Sequence, residues 1–244
     1  MYYFASDIHL GVADKLLARE IEQRFIVWLD EVSKDADAIF LLGDIFDFWF
    51  EYNNVAPKGF VRVLGKLAEL TDRGVRVVFL TGNHDMWIND YFEKECGMEV
   101  YTKPQLLTIA NKKVFIAHGD NMNIDNQPLL KLLNRTFRST IMKSIFSWIF
   151  HPDILMHFGL WWSAKSRESH SKNHAPIDYS HVQSLVEYAR EYSKTAHVDY
   201  FVFGHMHTAK DNSEGDLRVI NLGCWDREPS YAVLDECGEI SLNK

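Results

Sequence analysis

The sequence has few cysteines and no long apolar run, and both shortages restrict what the chain can be. Its three cysteines, Cys96, Cys224 and Cys237, are an odd number without the paired spacing of a zinc module. They fit buried thiols in a reducing cytosol better than a disulfide framework. No run of about 18 or more apolar residues is present, which argues against a membrane-spanning helix. The first residues also lack the basic and apolar regions of a secretory signal, so we expect a cytoplasmic protein.

An excess of basic residues is missing as well. The 26 Lys and Arg residues against 34 Asp and Glu residues give a net charge of -8, which argues against charge-driven binding of nucleic acid. With 47% hydrophobic and 14% aromatic residues, the chain can bury a sizeable core. We predict a single domain over residues 1–244 that carries an insertion.

Short apolar runs alternate with amphipathic segments in the first part of the chain. Strands are predicted at 2–6, 37–42 and 75–80, and helices at 14–34, 58–73 and 88–95. This β-α-β-α-β order favours a parallel sheet covered by helices. Further strands are predicted at 105–109, 112–117, 199–203, 217–221, 230–235 and 239–243, and helical segments at 128–168 and 179–196. Gly and polar residues separate the last three strands, which suggests antiparallel pairing. The whole predicts a sandwich of two sheets with helices outside.

Five of the predicted strands end in side chains that bind metals or transfer protons. Residues 39–42 form an apolar run that stops at Gly43 and Asp44. Four other strands end in the same way, with Asp7 and His9, with Asn83, His84 and Asp85, with His118, and with His205 and His207. Open α/β sheets bind ligands at the carboxyl ends of their strands, so we expect these side chains to converge. Oxygen and nitrogen donors without a thiolate suit manganese, iron or zinc. Two such ions about 3.5–4 Å apart can activate a shared water for phosphoryl displacement.

The order of these residues resembles a known motif series. The motifs are Asp7-x-His9, Gly43-Asp44-x-x-Asp47, Gly82-Asn83-His84-Asp85, His118-Gly119-Asp120 and Gly204-His205-x-His207. Together they are similar to the full series of the calcineurin-like metallophosphoesterases. The resemblance implies an α/β (α+β) fold, a four-layered α/β/β/α sandwich, with two divalent metal ions, Mn²⁺ in the first place and Fe or Zn as alternatives. It implies Asp7, His9, Asp44 and His207 as ligands of the first ion, and Asp44, Asn83, His118 and His205 as ligands of the second.

The resemblance also implies roles in catalysis for His84, Asp85 and Asp44. His84 would protonate the leaving group or stabilise its charge, a task that suits imidazole because it exchanges a proton near neutral pH. Asp85 would orient His84, and Asp44 would bridge the two ions. Asp47 either orients a ligand or caps the following turn. Asp120 either supports His118 or is an ordinary turn residue.

Residues 128–167 differ in character from the rest of the chain. They contain six basic residues and one acidic residue, Asp153, for a net charge of +5. They also contain the apolar residues Phe137, Phe146, Trp148, Ile149, Phe150, Phe158, Trp161 and Trp162. This composition is typical of a helix at an anionic lipid surface, or of a cap around an amphiphilic substrate. A helical hairpin that buries its aromatic residues on the core or in a dimer interface is the alternative. We place the helical cap at about 126–170, and contact with the cytoplasmic face of the inner membrane stays open.

The cap position and the sequence around Asp7, Asp44 and His118 are similar to a subgroup of the family, the UDP-2,3-diacylglucosamine pyrophosphatases of lipid A biosynthesis. This resemblance implies a nucleotide-linked glycolipid substrate, whose pyrophosphate is cleaved to UMP and 2,3-diacylglucosamine 1-phosphate. The best-known members carry Arg where this chain has His84. The substrate-binding residues implied are Asn83, His84, Asn126, Ser169, Asn173 and His205.

Three alternatives remain open at this point. The first is a phosphoesterase that acts on cyclic nucleotides, phosphoproteins or nucleic acid. The second is a metal-free scaffold that binds proteins, and the third is a peripheral membrane adaptor built on the aromatic cap.

Overall fold

The computed structural model describes residues 1–122, 128–172, 179–226 and 229–244, with the side chains of all of these except 128–130, 133, 166–172 and 179–182. The helices are α1 (Lys15–Val32), α2 (Val61–Asp72), α3 (Tyr91–Cys96), α4 (Pro128–Phe137), α5 (Thr140–Ile149), α6 (Pro152–Lys172) and α7 (Tyr179–Ser193). The strands are β1 (Tyr2–Ala5), β2 (Ala38–Leu42), β3 (Arg76–Leu80), β4 (Glu99–Tyr101), β5 (Gln105–Ile109), β6 (Lys112–Ala117), β7 (Tyr200–Phe203), β8 (Ala209–Asp211), β9 (Val219–Leu222), β10 (Tyr231–Leu234) and β11 (Ile240–Asn243).

Two sheets are built around parallel strands. The first has the order β11-β10-β1-β2-β3-β4, in which β1 to β4 are parallel and β10 is antiparallel to both of its neighbours. The second has the order β5-β6-β7-β9-β8, with β6, β7 and β9 parallel and the two edge strands antiparallel. The carboxyl ends of the parallel strands carry the predicted ligands.

Alternation of side chains along the strands creates the layers. In β2, Ile39 and Leu41 face the cluster that α1 to α3 form over the first sheet, while Phe40 and Leu42 face the second sheet. On the far side of the second sheet, α7 packs Leu185 and its neighbours against the outer face. The order is therefore helix, sheet, sheet, helix, which confirms the predicted four-layered α/β/β/α sandwich.

The helix ends follow local capping. Helix α1 begins at Lys15 because the Asp14 carboxylate accepts the backbone N–H groups of Leu16 and Leu17, at 2.9 and 3.1 Å. Helix α2 ends just before Gly74, which has a φ of 89°. Both helices are therefore slightly shorter than predicted.

The stretch 128–168 is helical as predicted and is divided into three helices. Ser139 and Phe150 have extended backbones, and Pro152 starts α6, a position that suits proline because the first N–H groups of a helix have no partner within it. Two three-residue strands, β4 and β8, escaped prediction because they are too short to show a periodic pattern.

The predicted antiparallel pairing of the chain's last strands is right for β10 and β11 but wrong for β9, which runs parallel to β7. The antiparallel partner of β9 is the unpredicted strand β8. Among the described residues, no helix combines the length and the hydropathy needed to cross a bilayer.

Candidate metal centre

The structure brings the seven predicted metal ligands together at the carboxyl ends of β1, β2, β3, β6 and β7. One group gathers around His207, whose Nε2 lies 3.2 Å from the Nε2 of His9 and 3.3 Å from the Oδ1 of Asp7. The Sγ of Cys224 belongs to the same group, because it lies within 4.8 Å of ring nitrogens of His9 and His207. Asp7, His9 and His207 form the first half of the centre, and Cys224 lies beside them.

A second group gathers around His118. Its Nε2 lies 3.3 Å from the Oδ2 of Asp44 and 3.1 Å from the Oδ1 of Asn83. A nitrogen of His205 lies within 4.8 Å of both the Asp44 and the His118 donor atoms. Asp44 also forms a close group with His9 and His84, so its carboxylate stands between the two halves.

The spacing and chemistry of these donors fit divalent ions. Two ligand atoms about 2.1 Å from one ion and at a right angle lie about 3 Å apart. The separations of 3.2 Å between His9 and His207 and of 3.3 Å between Asp44 and His118 are close to that value. The Oδ1 of Asp7 is buried, and within the described part of the chain no group donates a well-aligned hydrogen bond to it. A cation would supply the missing partner.

Five of the seven predicted ligands have left-handed backbones. Their φ values are 54° for Asp7, 52° for His9, 53° for Asp44, 67° for His205 and 52° for His207. Each such residue costs about 1–3 kcal/mol and persists only where the surrounding structure enforces it. Part of the enforcement is a ladder between loops, in which the N–H of Asp7 donates to Gly43 and that of His9 donates to Asp44, both at 3.0 Å.

Glycines at the strand ends allow the loops to approach each other. A Cβ on Gly82 would lie 2.1 Å from the Oδ1 of Asp44. A Cβ on Gly204 would lie 2.7 Å from the Oδ2 of Asp7. Any larger residue at either position would displace a carboxylate of the centre.

Carboxylates and histidines face each other in the buried centre and shift each other's pKa values. Burial alone would raise the pKa of Asp44, but His118 and His84 hold it well below its usual range. Burial would lower the pKa of His118, yet Asp44 and Asp7 raise it to about 10. Burial and the neighbouring His207 lower the pKa of His9 to about 3. The carboxylates therefore stay ionised and hold a proton on His118, a positive charge that a divalent ion would replace.

His84 lies beside the centre with its ring held in one orientation. Its Nδ1 donates to the backbone carbonyl of Asp47 at 2.8 Å, and its Nε2 lies 3.8 Å from the Oδ2 of Asp44. We predicted that Asp85 would orient this ring, and the Asp47 carbonyl has that position instead.

The Asp85 carboxylate accepts the N–H groups of Gly82 at 2.7 Å and of Ile45 at 2.8 Å. Buried N–H groups need acceptors, which accounts for the placement of both carboxylate oxygens. Burial and the nearby Asp44 raise the pKa of Asp85 to about 6. Asp85 thus joins the loop after β3 to the loop after β2.

Two residues of the cap, Ser163 and Arg138, form hydrogen bonds with the loops of the centre, and the sequence did not reveal these bonds. The Oγ of Ser163 in α6 donates to the Oδ1 of Asp47, at 2.7 Å. Arg138, between α4 and α5, donates to Asp120 at 2.7 Å and to the carbonyl of Gly82 at 3.2 Å. These are long-range contacts without a local pattern. Cys224 could have been found, because it follows a Gly directly after β9 and so repeats the strand-end pattern.

The predicted substrate-binding residues divide into two sets. Asn83, His84 and His205 lie at the centre. Asn126 and Asn173 lie outside the described residues, and of Ser169 only the backbone, in α6, is described.

Comparison with known proteins places the fold and the centre in one class. The profile of the calcineurin-like phosphoesterases matches residues 2–209, and the chain belongs to this family. It is a hydrolase of phosphoric esters.

Several individual proteins are similar to this chain. The UDP-2,3-diacylglucosamine hydrolase of Porphyromonas gingivalis (strain ATCC BAA-308 / W83) is 37% identical over 96% of this chain and 93% of that protein. The protein of the same name from Haemophilus influenzae (strain ATCC 51907 / DSM 11121 / KW20 / Rd) is 25% identical over 99% of this chain and 98% of its own length. A solved archaeal phosphodiesterase superposes with a TM-score of 0.47 and 15% identity, over 99% of this chain and 98% of that one.

Proposed function

We propose that this protein hydrolyses the pyrophosphate bond of UDP-2,3-diacylglucosamine to UMP and 2,3-diacylglucosamine 1-phosphate, at a centre that holds two divalent ions. The observation that carries the proposal is the position of Asp44, whose carboxylate stands between the His9 and His118 groups. The relatives from Porphyromonas and Haemophilus support the substrate, since both are named for its hydrolysis.

The group of side chains around His207 would hold one ion and the group around His118 a second. Mn²⁺ is preferred, with Fe or Zn as alternatives. Asp7, His9 and His207 would hold the first ion, Asn83, His118 and His205 the second, and Asp44 both. When bound, two ions activate a water nucleophile and neutralise charge on the phosphate oxygens.

The protein's own part in the reaction is to present a proton donor and to fix the reacting groups. The Nδ1 of His84 is occupied by the carbonyl of Asp47, so its Nε2 is the nitrogen that faces the centre. In the protonated ring, Nε2 donates a hydrogen bond to a phosphate oxygen or a proton to the leaving group. The backbone N–H of His84 donates to the Oδ1 of Asp44 at 2.9 Å. This bond fixes the position of His84 relative to the Asp44 carboxylate.

The cap supports the assignment of a lipid substrate. Among the described residues, ten large apolar side chains of the cap are exposed, namely Leu132, Ile141, Ile145, Trp148, Ile149, Phe150, Ile154, Phe158, Trp161 and Trp162. Contiguous exposed apolar surface marks a ligand or membrane contact. We propose that these side chains receive the acyl chains and touch the surface of the membrane that supplies the substrate.

An assay on two substrates tests the proposal. Purified protein loaded with Mn²⁺ is offered UDP-2,3-diacylglucosamine and, separately, a simple aryl phosphodiester. We expect UMP and 2,3-diacylglucosamine 1-phosphate as products, with a much higher kcat/KM on the lipid. Equal kcat/KM values on both substrates would contradict the lipid substrate and leave a general phosphoesterase.

A further inference from the structure

One face of the cap helix α6 rests directly on the loop that follows β2. Gly159 and Ser163 are one helical turn apart and therefore share this face. A Cβ on Gly159 would lie 2.3 Å from the ring of Phe48, so the helix backbone itself lies against that ring. Leu155 continues the face and is buried together with Phe48 and Phe50. The missing side chain at Gly159 thus sets how closely α6 approaches the loop.

This approach brings Ser163 to the carboxylate of Asp47. Ser163 is 1% exposed, and its Oγ donates to the Oδ1 of Asp47 at 2.7 Å. A hydroxyl bonded to a carboxylate makes one of the stronger hydrogen bonds in proteins. The same Oδ1 lies 3.4 Å from the Nδ1 of His9. Ser163 therefore restrains the Asp47 oxygen that lies 3.4 Å from His9.

Asp47 reaches two histidines of the centre. Its Oδ1 lies 3.4 Å from the Nδ1 of His9, near but without hydrogen-bond geometry, and the Nε2 on the other side of that ring lies 3.2 Å from His207. Its backbone carbonyl accepts from the Nδ1 of His84 at 2.8 Å. A carboxylate beside the far nitrogen of a metal-binding imidazole favours the tautomer that carries its proton there.

We propose that Ser163 is a positioning residue for His9, and that it acts through Asp47. It couples the position of the cap to the geometry of the ion site, although it touches neither substrate nor ion. The inference rests on the proposed function in one respect, because it takes His9 to be a ligand. A movement of α6 off the Phe48 ring would release Asp47 and loosen His9 and His84 together.

Titration with Mn²⁺, followed by the electron paramagnetic resonance signal of the free ion, tests this inference. In Ser163→Ala we expect the affinity for one of two ions to fall by up to about 10-fold, the lower end of the loss seen when a direct partner of a ligand is removed, because Ser163 is one contact further away. The affinity for the other ion should stay as in the wild type. Ser147→Ala is the matched control and should change neither affinity, because the Ser147 hydroxyl in α5 donates to the carbonyl of Ser144 in its own helix.

A double-mutant cycle separates positioning from general support of the fold. If Ser163 acts through Asp47, then adding Ser163→Ala to Asp47→Ala, which removes the acceptor, should weaken Mn²⁺ binding no further. Additive losses would overturn the inference. So would a Ser163→Ala variant that unfolds at a lower temperature but binds Mn²⁺ with wild-type affinity.

Failure of the proposed function has a different signature. A wild-type protein that binds one Mn²⁺ contradicts the two-ion centre, while weaker binding of that ion in Ser163→Ala still supports the role of Ser163. A wild-type protein that binds none contradicts both.

Discussion

The Oδ2 of Asp44 lies 3.3 Å from the Nε2 of His118, although the two residues end strands of different sheets. The contact exists because both sheets direct the carboxyl ends of their parallel strands to the same edge of the sandwich. Each proposed ligand set is therefore completed by the packing of one sheet on the other. Any change that separates the sheets at this edge should release metal before it unfolds the protein.

Replacement of Gly82 tests how tightly the strand ends are packed. In Gly82→Ala the new Cβ would lie 2.1 Å from the Oδ1 of Asp44, so the carboxylate must move. We expect loss of Mn²⁺ binding and of activity in a variant that remains folded by circular dichroism.

Gly65→Ala is the matched control for this substitution. Gly65 lies in α2, and a Cβ built there meets no atom of the described residues within 4 Å. This variant should keep its metal and gain about 0.5–1 kcal/mol in the free energy of unfolding. Wild-type Mn²⁺ affinity in Gly82→Ala would contradict the packing described.

His84 should contribute to turnover without holding an ion. In His84→Ala, kcat on UDP-2,3-diacylglucosamine is expected to fall about 10²–10⁴-fold, the usual contribution of an acid or base. The number of Mn²⁺ ions per chain, measured by atomic emission on the same sample, should not change. His197, which is 80% exposed and lies outside the cap, provides the control variant, His197→Ala, with unchanged kcat. Loss of Mn²⁺ in His84→Ala would instead make His84 a ligand.

Lys143 should make the stability of the protein depend on pH. Its Nζ donates to the carbonyl of Ile88 at 2.6 Å, and burial lowers its pKa to about 8 although Glu51 and Asp90 oppose the shift. In the unfolded chain the pKa returns to about 10.4. Between these two values the unfolded state binds more protons, so the Lys143 contribution to the free energy of unfolding rises with pH.

The measurement for Lys143 is urea unfolding of the wild type and of Lys143→Met, at about pH 7 and about pH 10. The difference in free energy of unfolding should move in favour of the wild type at the higher pH. A difference that stays constant would show that Lys143 is not desolvated in the folded protein.

The aromatic cap should bind anionic membranes. Trp148 in α5 is 90% exposed, so Trp148→Glu should reduce the fraction of protein that floats with phosphatidylglycerol vesicles. Val27 in α1 is 66% exposed and lies outside the cap, and Val27→Glu should float like the wild type. A wild-type protein that does not float would contradict membrane contact by the cap.

Much of the centre could be predicted because its residues follow apolar strands directly. Asp7, Asp44 and His118 each stand after a run that reads as a buried strand, and parallel strands must bring such positions to one edge. The two sheets were predictable because their strands are the same short apolar runs.

Other features depend on contacts between segments that are distant in the chain, so no local sequence pattern predicts them. The left-handed backbone of Asp44 is one of them, since φ at a strand end is set by the neighbouring loop. The bond of Ser163 to Asp47 is another, because it needs the close approach of α6 at Gly159. The prediction that Asp85 orients His84 was wrong, because the two oxygens of Asp85 accept buried N–H groups of the adjacent loops.

The most direct test of the central claim is the number of Mn²⁺ ions bound per chain, measured together with turnover of UDP-2,3-diacylglucosamine, in the wild type and in Asp44→Ala. We predict two bound ions and full turnover for the wild type. A folded Asp44→Ala variant should lose the bound ions and the turnover together. Full turnover in Asp44→Ala would contradict a centre in which one carboxylate serves both ions.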